Sequence, residues 1–239
     1  MKNIVRGLLA AAAVLSFATT ASARSGIEAG YLNSRYSFKS AAEGTAAPAG
    51  YSQDGFYAGL TQEVRLFAGF HIQTGLYYLY LTSRERREYV DLVTNGGRTD
   101  HYLSVPIMLK YKIGLPFMKI SLFAGPTLSA GLVSKEKYTV AGQYAGATVN
   151  GDISYNFYTG NVKYDGVNVP ADASDPYAGM LSNWLYNRFD VQIGAGVGLE
   201  FFRFLEVRAG YDWGLIDRYR GDGIEVNRDQ FYVSVGIRF

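Results

Sequence analysis

Few residues in this chain are equipped for chemistry. It has two histidines, His71 and His101, and no cysteine. Neither histidine has a second ligand at a spacing that suits a metal ion, and thiolate sites are excluded outright. Spacing reveals no Ser-His-Asp grouping either. Gly194, Gly196 and Gly198 spell GxGxG, which invites a phosphate-cradling reading. That reading needs a helix after the glycines. Here they sit inside a strand pattern, so they are read as room for long neighbouring side chains. No catalytic residue, cofactor or metal is expected.

What the chain does carry is ionic chemistry at alternate positions. Glu200, Glu206, Arg208 and Arg238 all fall on the polar side of strongly alternating runs. A tight turn at Phe202-Arg203-Phe204 would set Glu200 opposite Glu206, with Arg208 diagonal to Glu200. A symmetric last hairpin would bring Arg238 opposite Glu206. These four are expected to form a structural ion-pair network, extended by Glu63, Lys110 and Asp212, because buried charges are costly unless paired. The competing role for the same set is a proton or ion path; balanced charge in a narrow bore favours the structural one.

The elements that position these charges are long strands. From 189 to 201 the odd positions are Phe, Val, Ile, Ala, Val, Leu and Phe, facing Asp190, Gln192, three glycines and Glu200. From 205 to 215 Leu205, Val207, Ala209, Tyr211, Trp213 and Leu215 alternate with Glu206, Arg208, Gly210, Asp212 and Gly214. The closing run places Phe231, Val233, Val235, Ile237 and Phe239 against Tyr232, Ser234, Gly236 and Arg238. Such alternation means a strand between two environments. Soluble strands run about 5–6 residues; a tilted strand crossing a bilayer needs about 9–11. These runs match the second. The expected fold is all-β: an eight-stranded antiparallel up-and-down transmembrane β-barrel, apolar side to lipid. A soluble ligand-binding barrel would share the periodicity with its faces inverted, but strand length and the charged, small-residue face argue against it.

Five earlier strands are expected at about 25–38, 54–66, 70–84, 101–113 and 119–133. Residues 84–100 form a charged loop with Asn95-Gly96-Gly97 as its turn signal. Residues 134–187 are read as a long loop, rich in Tyr, Gly and Asn, with one short helical turn at Met180–Tyr186. That composition suits adaptable recognition. Connections are long after strands one, three, five and seven and short after two, four and six. Short periplasmic turns and long extracellular loops are the outer-membrane arrangement. Eight strands enclose a bore that side chains can fill, so no open pore is expected.

Residues 1–23 read as a cleaved signal peptide: Lys2 and Arg6, an apolar run from Gly7 to Phe17, then Ala21-Ser22-Ala23. The barrel domain would cover 24–239. Removing the leader takes away two basic and no acidic residues, leaving 21 of each from the 23 and 21 of the whole chain. A neutral mature chain gives no reason to expect nucleic-acid binding. Aromatics make up 15%, with 20 tyrosines, as membrane-interface girdles require.

Several short motifs together resemble the PorT-like outer-membrane β-barrel family of Bacteroidetes. They are Tyr102-Leu103-Ser104-Val105-Pro106 with Lys110-Tyr111, then Ala124-Gly125-Pro126. Phe189-Asp190 leads into Gly194-x-Gly196-x-Gly198-x-Glu200, followed by Arg208-x-x-Tyr211-x-x-Gly214-Leu215 and the aromatic terminus. The resemblance implies an eight-stranded barrel of the outer membrane and supplies no catalytic residues. The founding members are associated with a protein-secretion and gliding apparatus.

The expected function is that of a non-enzymatic integral barrel with a closed interior, acting structurally or in recognition through its loops. Its partners would be outer-membrane lipid and an extracellular or envelope protein met by residues 134–187. The alternatives are an accessory of a secretion apparatus and a lipid-modifying enzyme. Such an enzyme would use a His with a Ser at the outer rim; His101 lies near that rim, but its parity sends it to the lipid face.

Overall fold

The computed structural model describes residues 23–40, 49–89, 92–144, 147–169, 185–221 and 223–239. In chain order the strands are β1 (Ala23–Ser40), β2 (Tyr51–Arg65), β3 (Phe70–Tyr89), β4 (Leu92–Gly114), β5 (Met118–Tyr144), β6 (Ala147–Asn156), β7 (Val162–Tyr164), β8 (Val167–Val169), β9 (Phe189–Phe201), β10 (Leu205–Gly214) and β11 (Ile224–Arg238). Eight of them close a ring, β1-β2-β3-β4-β5-β9-β10-β11, in which β11 returns to pair with β1. All pairings are antiparallel. The three short strands β6, β7 and β8 branch from the upper half of β5, which leaves β9 after Ala130 to pair with β6. Among the described residues no helix is long and apolar enough to cross a membrane; the strands do the crossing.

Orientation follows from which face is dry. Val197 and Val235 are 52% and 51% exposed, whereas Lys110 and Glu206 are 0% exposed. The oily side chains therefore point out of the ring and the ionic ones into it, as a lipid-facing barrel demands. Aromatic residues rim both ends of the apolar band. Phe67, Phe70, Tyr111, Phe117, Phe202 and Phe204 lie at the short-turn end. Tyr31, Phe56, Tyr78, Tyr80, Phe189 and Trp213 lie at the other. On β3 the two rims are ten residues apart, Phe70 to Tyr80. At about 3.4 Å per residue and a tilt of about 40° this is about 26 Å, the height of an outer-membrane hydrocarbon band.

Above that band the structure departs from the sequence expectations. The charged stretch 84–100 is no loop. β3 runs to Tyr89 and β4 starts at Leu92, so Asn95, Gly96 and Gly97 pair with Arg86, Glu85 and Arg84 within the ladder. Nor is 134–187 a loop throughout, since β5 continues to Tyr144 and β6 to β8 follow. The reason lies at a bulge, where His101 pairs with Val133 but the next residue, Tyr102, pairs with Gly131. The extra residue on β5 shifts its parity. Inward positions are Ser121, Phe123, Thr127 and Ser129 below it, but Ser134, Tyr138 and Val140 above. Alternation persists with its phase reversed, which reads as lost periodicity. The helical turn expected at Met180–Tyr186 lies, but for Leu185 and Tyr186, outside the described residues, as does the expected signal peptide up to residue 22.

Candidate functional site

The lower half of the bore is filled by one continuous chain of opposite charges. Arg208 Nη1 lies 3.0 Å from Glu28 Oε2. Arg238 Nη2 bridges Glu28, at 3.3 Å, and Glu206, at 2.6 Å. Glu206 also accepts from Lys110, whose Nζ lies 3.2 Å from Glu63 Oε2. Lys112 then joins Glu63 Oε1, at 2.5 Å, to Glu200 Oε2, at 2.7 Å. At the periplasmic rim Arg24 and Lys119 end the chain on Glu200 Oε1, at 3.1 and 3.2 Å. Four buried glutamates alternate with four buried cations, so the chain is locally neutral. β3 takes part through Gln73, which accepts from Lys110, and through His71, 3.8 Å from Glu63. Every strand of the ring thus contributes.

Several sequence expectations are re-drawn by this geometry. Glu200 does face Glu206 across the β9–β10 hairpin. Its tight turn puts Phe202 and Arg203 at φ 50° and 67°, the left-handed region that such hairpin turns need at both central positions. Arg238, however, is not opposite Glu206; that place belongs to Gly236, and Arg238 reaches Glu206 diagonally. Arg208 pairs with Glu28, not Glu200. Asp212 is buried but joins no ion pair among the described residues. Gly198 does make room for charge: a Cβ there would lie 2.6 Å from Ser121 Oγ and 3.2 Å from Glu206 Oε1. Sequence reasoning missed Glu28, although Ile27 and Ala29 on the outer face already place it inside. It also missed Lys112 as the link between Glu63 and Glu200.

Higher in the bore aromatic rings take over. Tyr57 and Tyr77 donate to the two Glu28 oxygens at 3.0 and 3.1 Å, and Phe123 lies under the Arg208 guanidinium at 4.2 Å. A cavity of about 40 Å³ above them is lined by Tyr77, Met108, Asp212 and Tyr232 among others. One water needs about 10–15 Å³ of such space, so the cavity has room for about three waters. Beyond it Arg228 bonds Asp190 at 2.8 Å and lies over Tyr102. The mouth is stoppered by a cluster in which Tyr36, Tyr138, Val140, Ile153, Tyr155, Phe157, Tyr158 and Val226 are buried together. Most of these come from upper β5 and from β6 and its following turn. Arg98 is the cluster's polar bolt. It bonds Asp100 at 3.0 Å, donates to Tyr51, and lies 4.0 Å from the Phe157 ring centre and 4.9 Å from that of Tyr186. Burial and the neighbouring Tyr186 push the Tyr155 phenol up to about 12.

The histidines stand apart from one another. His101 is on the outer face, hydrogen-bonded to Tyr78 and edge-on to Tyr80. His71 is near the periplasmic end, with Nδ1 3.0 Å from the Gly69 carbonyl. Among the described residues no three His, Asp or Glu side chains are grouped to hold a metal ion.

A ring of eight antiparallel strands with an apolar exterior, two aromatic rims and an ionic interior defines an outer-membrane β-barrel. Residues 17–220 match the family described as outer membrane protein beta-barrel domain, and the chain belongs to that family. A comparison of the sequence with curated proteins gives no match. Among solved structures the chain is similar to Ail, the attachment invasion locus protein of Yersinia pestis, at 15% identity and a TM-score of 0.41, covering 90% of this chain and 98% of that one. Neisserial surface protein A aligns at 14% identity and a TM-score of 0.39, covering 90% and 97%. OprG from Pseudomonas aeruginosa aligns at 11% and 0.40, covering 91% and 96%.

Proposed function

We propose that the protein is a closed, non-enzymatic outer-membrane barrel that acts by recognition through its extracellular β5–β8 extension. The observation that carries this reading is the division of labour within the extension. Its inner side seals the mouth with buried Tyr138, Val140, Ile153 and Tyr155, while its outer side leaves Lys135, Lys137, Thr139, Asp152 and Lys163 exposed. A segment that only stoppered the bore would not need three pairings beyond the ring to do so. The ionic chain below makes passage unnecessary to the design, because neutral, mutually bonded charges are a filled interior.

Two measurements test this. Purified protein in planar bilayers should give no stepwise conductance; reproducible steps would overturn the closed reading. A variant lacking β6 to β8 (residues 147–169) should keep heat-modifiable gel mobility and yet lose photo-crosslinks made from the Thr139 position to envelope or extracellular protein in cells. Identical crosslinking by both forms would refute the recognition role.

A further inference from the structure

One wall of the barrel carries a row of cations just above the apolar band. Pairing register places Arg84 opposite Gly97, Gly97 opposite Lys137, Lys137 opposite Ser154 and Ser154 opposite Lys163. These residues form one line across β3 to β7, and Arg84, Lys137 and Lys163 in it are exposed. Strands lie about 4.8 Å apart, so the three charges are spaced at about 10 Å. Lys135, also exposed, sits two residues lower on β5, paired with Thr99 and Asn156. Directly beneath come Leu132 and Val133 and the Tyr80–His101 pair of the aromatic rim. The height of the row is therefore that of the lipid headgroups.

No carboxylate with a described side chain lies in these two rows. Glu136 stands between Lys135 and Lys137 on β5 but has the parity of the bore side, where the Tyr138 hydroxyl donates to it at 2.7 Å. On the outer face the nearest described acids, Asp152 and Asp165, are one step higher. Asp152 accepts from Thr139, and Asp165 accepts from the Asp152 amide. The opposite wall is different. There Arg35 is paired with Asp229, and Asp54 accepts from Tyr31 and Asn33. On the β3–β7 wall the outward-facing cations of these rows are matched by no outward carboxylate at the same level among the described side chains.

We propose that Arg84, Lys135, Lys137 and Lys163 form a docking surface for the phosphate groups of outer-leaflet lipid headgroups. Charge complementarity and height together select that occupant: basic side chains at a membrane surface attract anionic headgroups, and the attraction falls off within a Debye length. The row would fix how the barrel is turned and which lipids surround its taller wall. This reading does not depend on the extension recognising a protein.

The test is native mass spectrometry of the folded, delipidated protein in neutral detergent. The probes are lipid A carrying both phosphates and its dephosphorylated form. The wild type should retain the phosphorylated lipid preferentially. Each cation replaced by Ala should weaken retention about fivefold, and R84A/K135A/K137A/K163A together by about two orders of magnitude or more. Replacement of the three lysines by Arg should preserve binding, and a control variant on the opposite wall, R35A/K39A, should bind as the wild type does. All these side chains are exposed, so heat-modifiable mobility should persist; if the fourfold variant does not fold, K137A and K163A alone carry the same fivefold expectation. Equal retention of both lipids, wild-type binding by the alanine variants, or an equal loss in the control would overturn the proposal.

Discussion

Replacing Lys110 with Met should be among the most damaging single changes in the barrel, and a second change, costly alone, should add no further loss to it. Lys110 is fully buried, with Glu206 on one side and Glu63 at 3.2 Å on the other. At that distance, with an effective dielectric of about 20, the gross attraction to Glu63 alone is about 5 kcal/mol. Desolvation offsets much of it in the intact protein. Lys110→Met keeps the desolvation of both glutamates and removes the attraction, leaving four buried glutamates to three buried cations. Breaking a buried pair in this way costs about 3–5 kcal/mol. Glu63→Gln in the same chain restores balance, for a specific reason. The remainder then separates into Lys112–Glu200 and Arg208–Glu28–Arg238–Glu206, each neutral. The double variant should therefore be no less stable than Lys110→Met alone, which requires a coupling at least as large as the cost of Glu63→Gln by itself, about 3 kcal/mol or more. Urea unfolding in phospholipid vesicles, followed by gel mobility and by fluorescence of Trp213 on the outer face, measures all four corners of the cycle. Additivity to within about 0.5 kcal/mol would refute the alternating chain as the source of stability.

Two further outcomes concern the region outside the membrane. Deleting Leu132 removes the bulge and should turn Tyr138 and Val140 outward; far-ultraviolet circular dichroism should keep the barrel signal while protease cuts the extension at rates at least tenfold higher, and unchanged protection would contradict the parity argument. Tyr155 has a native pKa of about 12, against about 10 when unfolded, so the neutral phenol favours the folded extension. That contribution is complete below pH 10 and is lost as pH rises from about 10 to about 12. Phenolate absorbance at high pH should show a late-titrating tyrosine missing from Tyr155→Phe, and an unchanged titration in that variant would refute it.

How far the sequence could be read depended on what surrounds each residue. Within the bilayer every outward side chain must satisfy hydrocarbon, so β9 and β10 alternate almost without exception and can be bounded to within a residue or two of their observed ends. Above the lipid that demand disappears. The outer face of upper β5 holds Lys135 and Lys137, and its inner face holds Tyr138 and Val140, so two environments still exist. The inversion at Leu132 nevertheless made the strand look finished at Val133. Asn95-Gly96-Gly97 misled in the other direction. Turn residues usually announce a reversal, yet here the glycines serve close strand packing, as the absence of side-chain bulk at Gly97 lets the Ser83 carbonyl approach.

The interior charges show the same limit at finer grain. Parity tells which residues point inward and nothing about depth, because tilt and stagger slide neighbouring strands past one another. Glu206 and Arg238 were expected to meet by hairpin symmetry. They meet instead across an offset of two residues, and Arg208 finds Glu28, 180 residues earlier, because β1 closes the ring against β11. Ring closure is a property of the whole sheet, and the closing pair is invisible to any argument confined to adjacent hairpins. Once closure is granted, the partners follow. In the lower half of the bore four glutamates and four cations are buried within reach of one another, each must be neutralised by its neighbours, and an alternating chain from the periplasmic rim upward leaves none of these eight alone.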